Sequence, residues 1–162
     1  MTSRRKGRRI AVPMRLSDLL TTADIAFGTR APDVGSAGAQ LLRQTLPKRG
    51  YSPADVSRLA DAVVAREREA STLCGPIAIP HARDSHSKSF VAAIGVNPDG
   101  VVEGQPTPRI VFAFISPESN RTEHLALLSS LARLSRDQPT LDAIAAAKEP
   151  QAILDVIRSR NL

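Results

Sequence analysis

The sequence predicts an α+β fold, a three-layer α/β/α sandwich whose central mixed β-sheet carries helices on both faces. Three observations predict it. Helical periodicities come first, a cluster of short apolar runs follows, and helical periodicities return at the end. The run Ile110 to Ile115, IVFAFI, is apolar on both faces, as a central strand covered above and below must be. The chain has 162 residues, 42% apolar and 23% charged, which suits one globular domain with its own core.

The elements follow in order. Leu16-Ser17-Asp18-Leu19-Leu20 reads as a short helical turn and Ile25-Ala26-Phe27 as a first strand. Ser36 is expected to cap a helix carrying Leu41, Leu42 and Leu46, closed by Pro47 and Gly50. Ser52, Pro53 and Asp55 form a helix start: a capping hydroxyl, a proline at the first helical position and a carboxylate three residues after the cap. Val56, Leu59, Ala60, Val63 and Val64 then make a buried stripe, and Arg66 to Glu69 end the helix on its polar side. Ile77 to Ile79, Phe90 to Val96 and Ile110 to Ile115 are expected strands. The first should stop at Pro80, and Asn97-Pro98-Asp99-Gly100 is a turn before a brief Val101-Val102 strand. In the last third, Leu125, Leu128, Leu131, Ala132 and Ser135 share a stripe with Leu127 and Leu134 beside it. Pro139 is expected to separate that helix from one beginning near Thr140, and a final helix from Pro150 carries Ile153, Val156 and Ile157.

Charge and composition narrow the function. The net charge is +6, but Arg4, Arg5, Lys6, Arg8 and Arg9 supply five of those charges, so residues 1–12 read as a basic, disordered tail and residues 13–162 as the domain. Such a tail is a solvated segment or an auxiliary contact for nucleic-acid or membrane phosphates. The apolar stretch behind it is too short for a twin-arginine signal. No apolar run approaches the roughly 20 residues of a membrane span. Aromatics are only 3%, with no tryptophan, which leaves little for stacking on single-stranded nucleic acid. A single cysteine, Cys74, has no intrachain partner, and the chain fits a reducing cytoplasm.

The motifs of several chemistries are missing. There is no HExxH or Cys/His cluster for zinc, no GxSxG elbow, no resolving cysteine for Cys74, and no Walker or GxGxxG loop. No metal or cofactor is therefore expected. Three histidines remain. His86 lies in a polar loop and reads as solvated. His124, in the first turn of a helix, also fits a structural role. His81 follows Pro80 at the end of an apolar strand, so it is expected to present an exposed imidazole. A neutral imidazole is nucleophilic near neutral pH, and phosphoryl transfer asks mostly for positioning and charge stabilisation. Arg66 can hold phosphate oxygens through its fork of donors, Ser71 and Thr72 can add hydroxyl and backbone donors, and His124 can donate from its helix start. The second nitrogen of His81 must be tied to a carbonyl or hydroxyl, which the residues alone do not identify.

At these positions the chain resembles a known family. "REREASTLCGPIAIPHAR", from Arg66 to Arg83, is similar to the active-site motif of the enzyme IIA domains of the phosphoenolpyruvate-dependent phosphotransferase system, fructose/mannitol type, including their nitrogen-regulatory relatives. "EHLALLSSLARLSRD", from Glu123 to Asp137, matches a second motif. The resemblance runs over nearly the whole chain and implies a single α/β/α domain. It implies that His81 takes a phosphoryl group on Nε2 from the phosphohistidine of HPr or an HPr-like carrier. His124 would be the second active-site histidine, Arg66 the motif arginine (Arg68 if the helix end shifts), and Ser71 and Thr72 the S-T pair. It also implies passage to a IIB component or, in the nitrogen-regulatory type, control of other proteins by phosphorylation state. No nucleic acid is required. The turn Leu73-Cys74-Gly75-Pro76 is shorter and poorer in glycine than the family's, and Pro76 lacks an N–H, so this turn should close differently. Two other function classes remain: a fold-retaining regulatory binding module without phosphotransfer, and nucleic-acid binding through the basic tail.

Overall fold

The computed structural model describes residues 14–162, so the tail expected over residues 1–12 lies outside the described part. The expected elements are present, with instructive differences at their edges. Helix α1 (Leu16–Leu19) and strand β1 (Ile25–Phe27) come first. Helix α2 (Val34–Thr45) starts before Ser36, because Asp33 is the cap: its carboxylate accepts from Ser36 N at 2.8 Å. Asp33 has the extended backbone that a cap needs, whereas Ser36 already lies in the first turn. A short turn, Leu46–Arg49, ends at Gly50, whose φ of 85° only glycine adopts freely. Helix α3 (Pro53–Glu69) starts as expected, with Ser52 Oγ accepting from Asp55 N.

The strand region departs further from expectation. Leu73–Cys74 is not simply turn but strand β2, paired antiparallel with β3 (Ile77–Ala78) across the two-residue loop Gly75-Pro76. Pro80 does not end the strand pairing either. Strand β4 (His81–Asp84) resumes it, parallel to β6 (Ile110–Pro117), with His81 opposite Phe114. A proline removes one donor from the ladder but leaves its carbonyl free to accept. Pro80 O still accepts from Phe114 N, so β3 and β4 behave as one interrupted strand beside β6. Strand β5 (Val91–Val96) runs antiparallel to β6 and parallel to β1. Instead of a full strand, Val101-Val102 contributes a single bridge, Ala31 to Val102. The mixed sheet thus has the order β1-β5-β6-β3-β2, with β4 also on β6.

Helices α4 (Arg121–Leu134), α5 (Gln138–Ala146) and α6 (Pro150–Ser159) complete the chain. α5 begins before Thr140, because Asp137 caps it by accepting from Thr140 N and Oγ1. Pro139 therefore sits in the first turn, where its missing N–H costs nothing. One sheet face packs Phe112 and Phe114 against α1, α4, α5 and α6, and the other packs Val111, Ala113 and Ile115 against α2 and α3. Helices on both faces confirm the α/β/α sandwich. The inward face of α4 is centred on His124, Leu127, Leu131 and Leu134; of the expected stripe, Leu131 is in the core and Leu128 packs at its edge, while Leu125 does neither. Both registers repeat at helical spacing, and only the angle at which α4 meets the sheet selects one. Leu125 is left 53% exposed.

Candidate active site

The site lies where β4, the end of α3 and the start of α4 converge. α2 approaches closely here because Gly38 has no side chain: a Cβ on it would meet Pro80 Cγ at 2.6 Å and Pro80 Cβ at 2.8 Å. Pro80 is thereby pressed into the core, and His81 follows it onto the α4 side of the sheet. The imidazole of His81 stacks on the ring of Phe114, with centroids 4.9 Å apart and planes 5° apart. The ring is therefore recessed, 6% exposed, rather than the exposed group expected. The register that sets His81 beside Phe114 is the cause.

The unidentified partner of His81 is the carbonyl of Ile79, 2.7 Å from Nδ1. A carbonyl only accepts, so Nδ1 carries the proton and Nε2 keeps its lone pair. Among the described residues Nε2 has no hydrogen-bond partner, yet it is not sealed from solvent: of these residues Thr29 Oγ1 alone is a closed-off side-chain polar atom without one. His81 lines an open cavity of about 720 Å³ together with Arg66, Arg83, Arg121, His124, Leu125 and Leu128. Burial lowers the His81 pKa below 6.5, the Ile79 hydrogen bond opposes that, and the Arg66 charge lowers it further. The ring is thus neutral at neutral pH, as a nucleophile must be.

His124 faces it, with ring centroids 5.3 Å apart and planes tilted 58°. Burial, then the charges of His81, Arg83 and Arg66, lower its pKa to about 4. Arg66, on the last turn of α3, lines the cavity and donates to Ala70 O at 3.3 Å. Arg68 points elsewhere, into a second cavity of about 370 Å³ shared with Asp33, Glu67 and Ser71. The structure therefore brings together His81, His124 and Arg66. Ser71 and Thr72 are not among the residues lining the His81 cavity. Thr72 donates from N, at 2.9 Å, and from Oγ1 to the Glu67 carboxylate, and Ser71 Oγ accepts from Leu73 N.

Sequence reasoning missed Arg83 and Arg121. Spacing contained the signal: Arg83 is two residues beyond His81 on a strand, and Arg121 is one helical turn before His124. Three guanidinium groups around two imidazole edges, against one carboxylate, Glu69, leave the cavity net positive and suited to a dianion such as a phosphoryl group. Among the described residues, no group of three or more histidine, cysteine or carboxylate side chains is placed to hold a metal ion. No helix among them is long and apolar enough to cross a membrane.

Comparison with known proteins places this geometry in context. Residues 20–160 match the family model for the phosphoenolpyruvate-dependent sugar phosphotransferase system, EIIA 2. A PTS system fructose-specific EIIA component of Haloferax volcanii is 33% identical over 103 residues, 60% of this chain and 66% of that relative's length, which is just under two thirds. The fold is similar to that of nitrogen regulatory protein IIA-Ntr from Neisseria meningitidis, with a TM-score of 0.72 and 20% identity over 87% of this chain and 97% of the other. It is also similar to Escherichia coli enzyme IIA of the mannitol system, solved in complex with phosphorylated enzyme IIB, with a TM-score of 0.67 and 21% identity over 87% of this chain and 98% of the other.

Proposed function

Since this chain belongs to the EIIA 2 family of the phosphoenolpyruvate-dependent sugar phosphotransferase system, we propose that it is a phosphocarrier whose phosphoryl acceptor is Nε2 of His81. The observation that carries this reading is the tie from His81 Nδ1 to Ile79 O, which leaves an unprotonated Nε2 at a cavity lined by Arg66, Arg83, Arg121 and His124. The donor is the phosphohistidine of HPr or an HPr-like carrier. In the step, the Nε2 lone pair of His81 forms a bond to phosphorus as the donor's P–N bond breaks, and the donor imidazole keeps that electron pair. The proton on His81 Nδ1 stays there, hydrogen-bonded to the Ile79 carbonyl, so no general base is needed. Positive charge developing on the His81 ring is offset by the phosphoryl dianion it now carries. Arg66 and His124 donate to the phosphoryl oxygens, and Arg83 adds positive potential. In this reading Ser71 and Thr72 serve the phosphate through the α3–β2 turn, where Thr72 holds Glu67 next to Arg66. Transfer onward goes to a IIB component, or the phosphorylated state controls other proteins, as the names of the similar proteins suggest.

The test is incubation with phosphoenolpyruvate, enzyme I and HPr. The expected result is an acid-labile mass gain of one phosphate that His81→Ala abolishes. Wild-type protein that gains no phosphate from cognate carriers refutes the proposal. Passage of the label to a IIB domain distinguishes transport from regulation. One observation favours a second reading, a module that keeps the fold without transfer: the Thr72 donors are already occupied by Glu67. That reading predicts no mass gain in the same experiment.

A further inference from the structure

We infer that Ser116 is a positioning residue that holds His124 in the tautomer with its proton on Nε2. The two imidazoles at the cavity then have opposite chemistry, a lone pair on His81 and an N–H donor on His124. This inference deepens the phosphocarrier reading and rests on it for its purpose, though not for its geometry.

Ser116 interrupts the most apolar stretch of the chain. Along β6, alternation puts Phe112, Phe114 and Ser116 on the face that α4 covers, and a hydroxyl is a costly side chain there unless it is paired. Ser116 is fully buried, 0% exposed. Its Oγ makes one side-chain hydrogen bond, 2.5 Å to His124 Nδ1. A hydroxyl has one proton to place and two lone pairs to accept with. If Nδ1 donated, the Ser116 proton would have no acceptor among the described residues. A buried donor without a partner is costlier than an unused lone pair. The favoured arrangement is therefore Ser116 O–H donating to Nδ1. The low pKa of His124 keeps its ring neutral near pH 7, so it carries one N–H, and with Nδ1 accepting, that proton is on Nε2.

His81 is tied in the opposite sense, since its Nδ1 donates to the Ile79 carbonyl. One backbone carbonyl and one buried hydroxyl thus assign complementary tautomers to rings 5.3 Å apart. A phosphoryl group on His81 Nε2 would meet an N–H from His124. The alternative tautomer would turn a lone pair toward the dianion and repel it. Ser116 touches neither substrate nor phosphate, and its effect passes through His124.

The experiment uses the full chain labelled with 15N, without phosphate, at about pH 7.5. Long-range 1H–15N spectra report which nitrogen of each ring is protonated. The expected pattern is protonated Nε2 on His124 and protonated Nδ1 on His81. Ser116→Ala should mix the His124 tautomers and slow phosphoryl transfer from phospho-HPr about tenfold, as loss of one organising hydrogen bond would. Ser116→Thr keeps the hydroxyl and should restore both. Protonated Nδ1 on His124 in the wild type overturns the inference, as do unchanged His124 signals in a folded Ser116→Ala protein. If that variant does not fold, the wild-type spectrum decides. The two readings fail separately. A protein that shows the expected tautomers but takes up no phosphate refutes the carrier function. One that takes up phosphate with His124 protonated at Nδ1 refutes the role of Ser116.

Discussion

His81 and His124 are both held below the ordinary imidazole pKa of 6.5, first because burial penalises the charged ring and then because positive charge lies beside each, Arg66 at His81 and His81, Arg83 and Arg66 at His124. Unfolding releases both rings to ordinary values. Between about 6.5 and, for His124, about 4, the unfolded chain therefore binds more protons than the folded one. Stability rises with pH across that window and is lost as pH falls through it. Asp84, Asp137 and Asp142 are depressed from 3.8, so their contribution is lost mainly at lower pH. The urea midpoint should consequently drop between pH 7 and pH 5, and drop less in His124→Gln. An equal drop in both proteins would mean that His124 is not the depressed group. At this scale, the motif resemblance singled out the two histidines and Arg66, which the structure brings to one cavity. Ser116 carried no such signal, because one serine in an apolar run is uninformative until the helix that covers it is known.

At the scale of elements, the site depends on how closely α2 and α3 pack against the interrupted strand. Gly38 lets α2 rest on Pro80, the residue before His81. Arg58 on α3 pairs with Asp84 at the far end of β4 and with Asp55 on its own helix, and Ser87 Oγ donates to Asp84 at 2.5 Å. The strand that begins with His81 is thus gripped at both ends. Gly38→Ala forces a methyl into Pro80, and overpacking of this kind costs about 1–3 kcal/mol. The expected outcome is a lower urea midpoint together with slower phosphorylation of His81, since the displaced Pro80 carries the histidine with it. Normal phosphorylation in a destabilised Gly38→Ala protein would uncouple α2 from the site. Sequence spacing located these helices within a few residues. It misplaced the α2 cap, because Asp33 and Ser36 are both competent caps and backbone conformation chose between them. It also read Pro80 as a strand end, because a local rule about a missing N–H cannot see that β6 continues to pair on the far side.

For the whole molecule, one sheet separates two apolar layers, and β6 contributes alternate residues to each. Phe112 faces α4, α5 and α6, while Leu59 on α3 fills the opposite layer, and both are essentially inaccessible. Phe112→Ala should cost about 3–5 kcal/mol and Leu59→Ala about 2–5 kcal/mol. Because both layers share the same strands, each change should shift one common urea transition seen by far-UV and near-UV signals alike. Two separated transitions in either variant would show that the layers unfold independently.

The sequence by itself determined the layered architecture, since a both-sided apolar strand between helical stripes has few ways to bury its surface. It also singled out His81, Arg66 and His124 as candidates, which line one cavity, whereas Arg83 and Arg121 came to light there only in the structure. Only the tertiary structure decided that Leu125 borders the cavity while Leu127 enters the core. Likewise, only it decided that Thr72 serves Glu67 and that His81 lies on Phe114. Each of these choices depends on the angle or register between elements distant in sequence. Periodicity records what each element wants to bury, but not what it will meet.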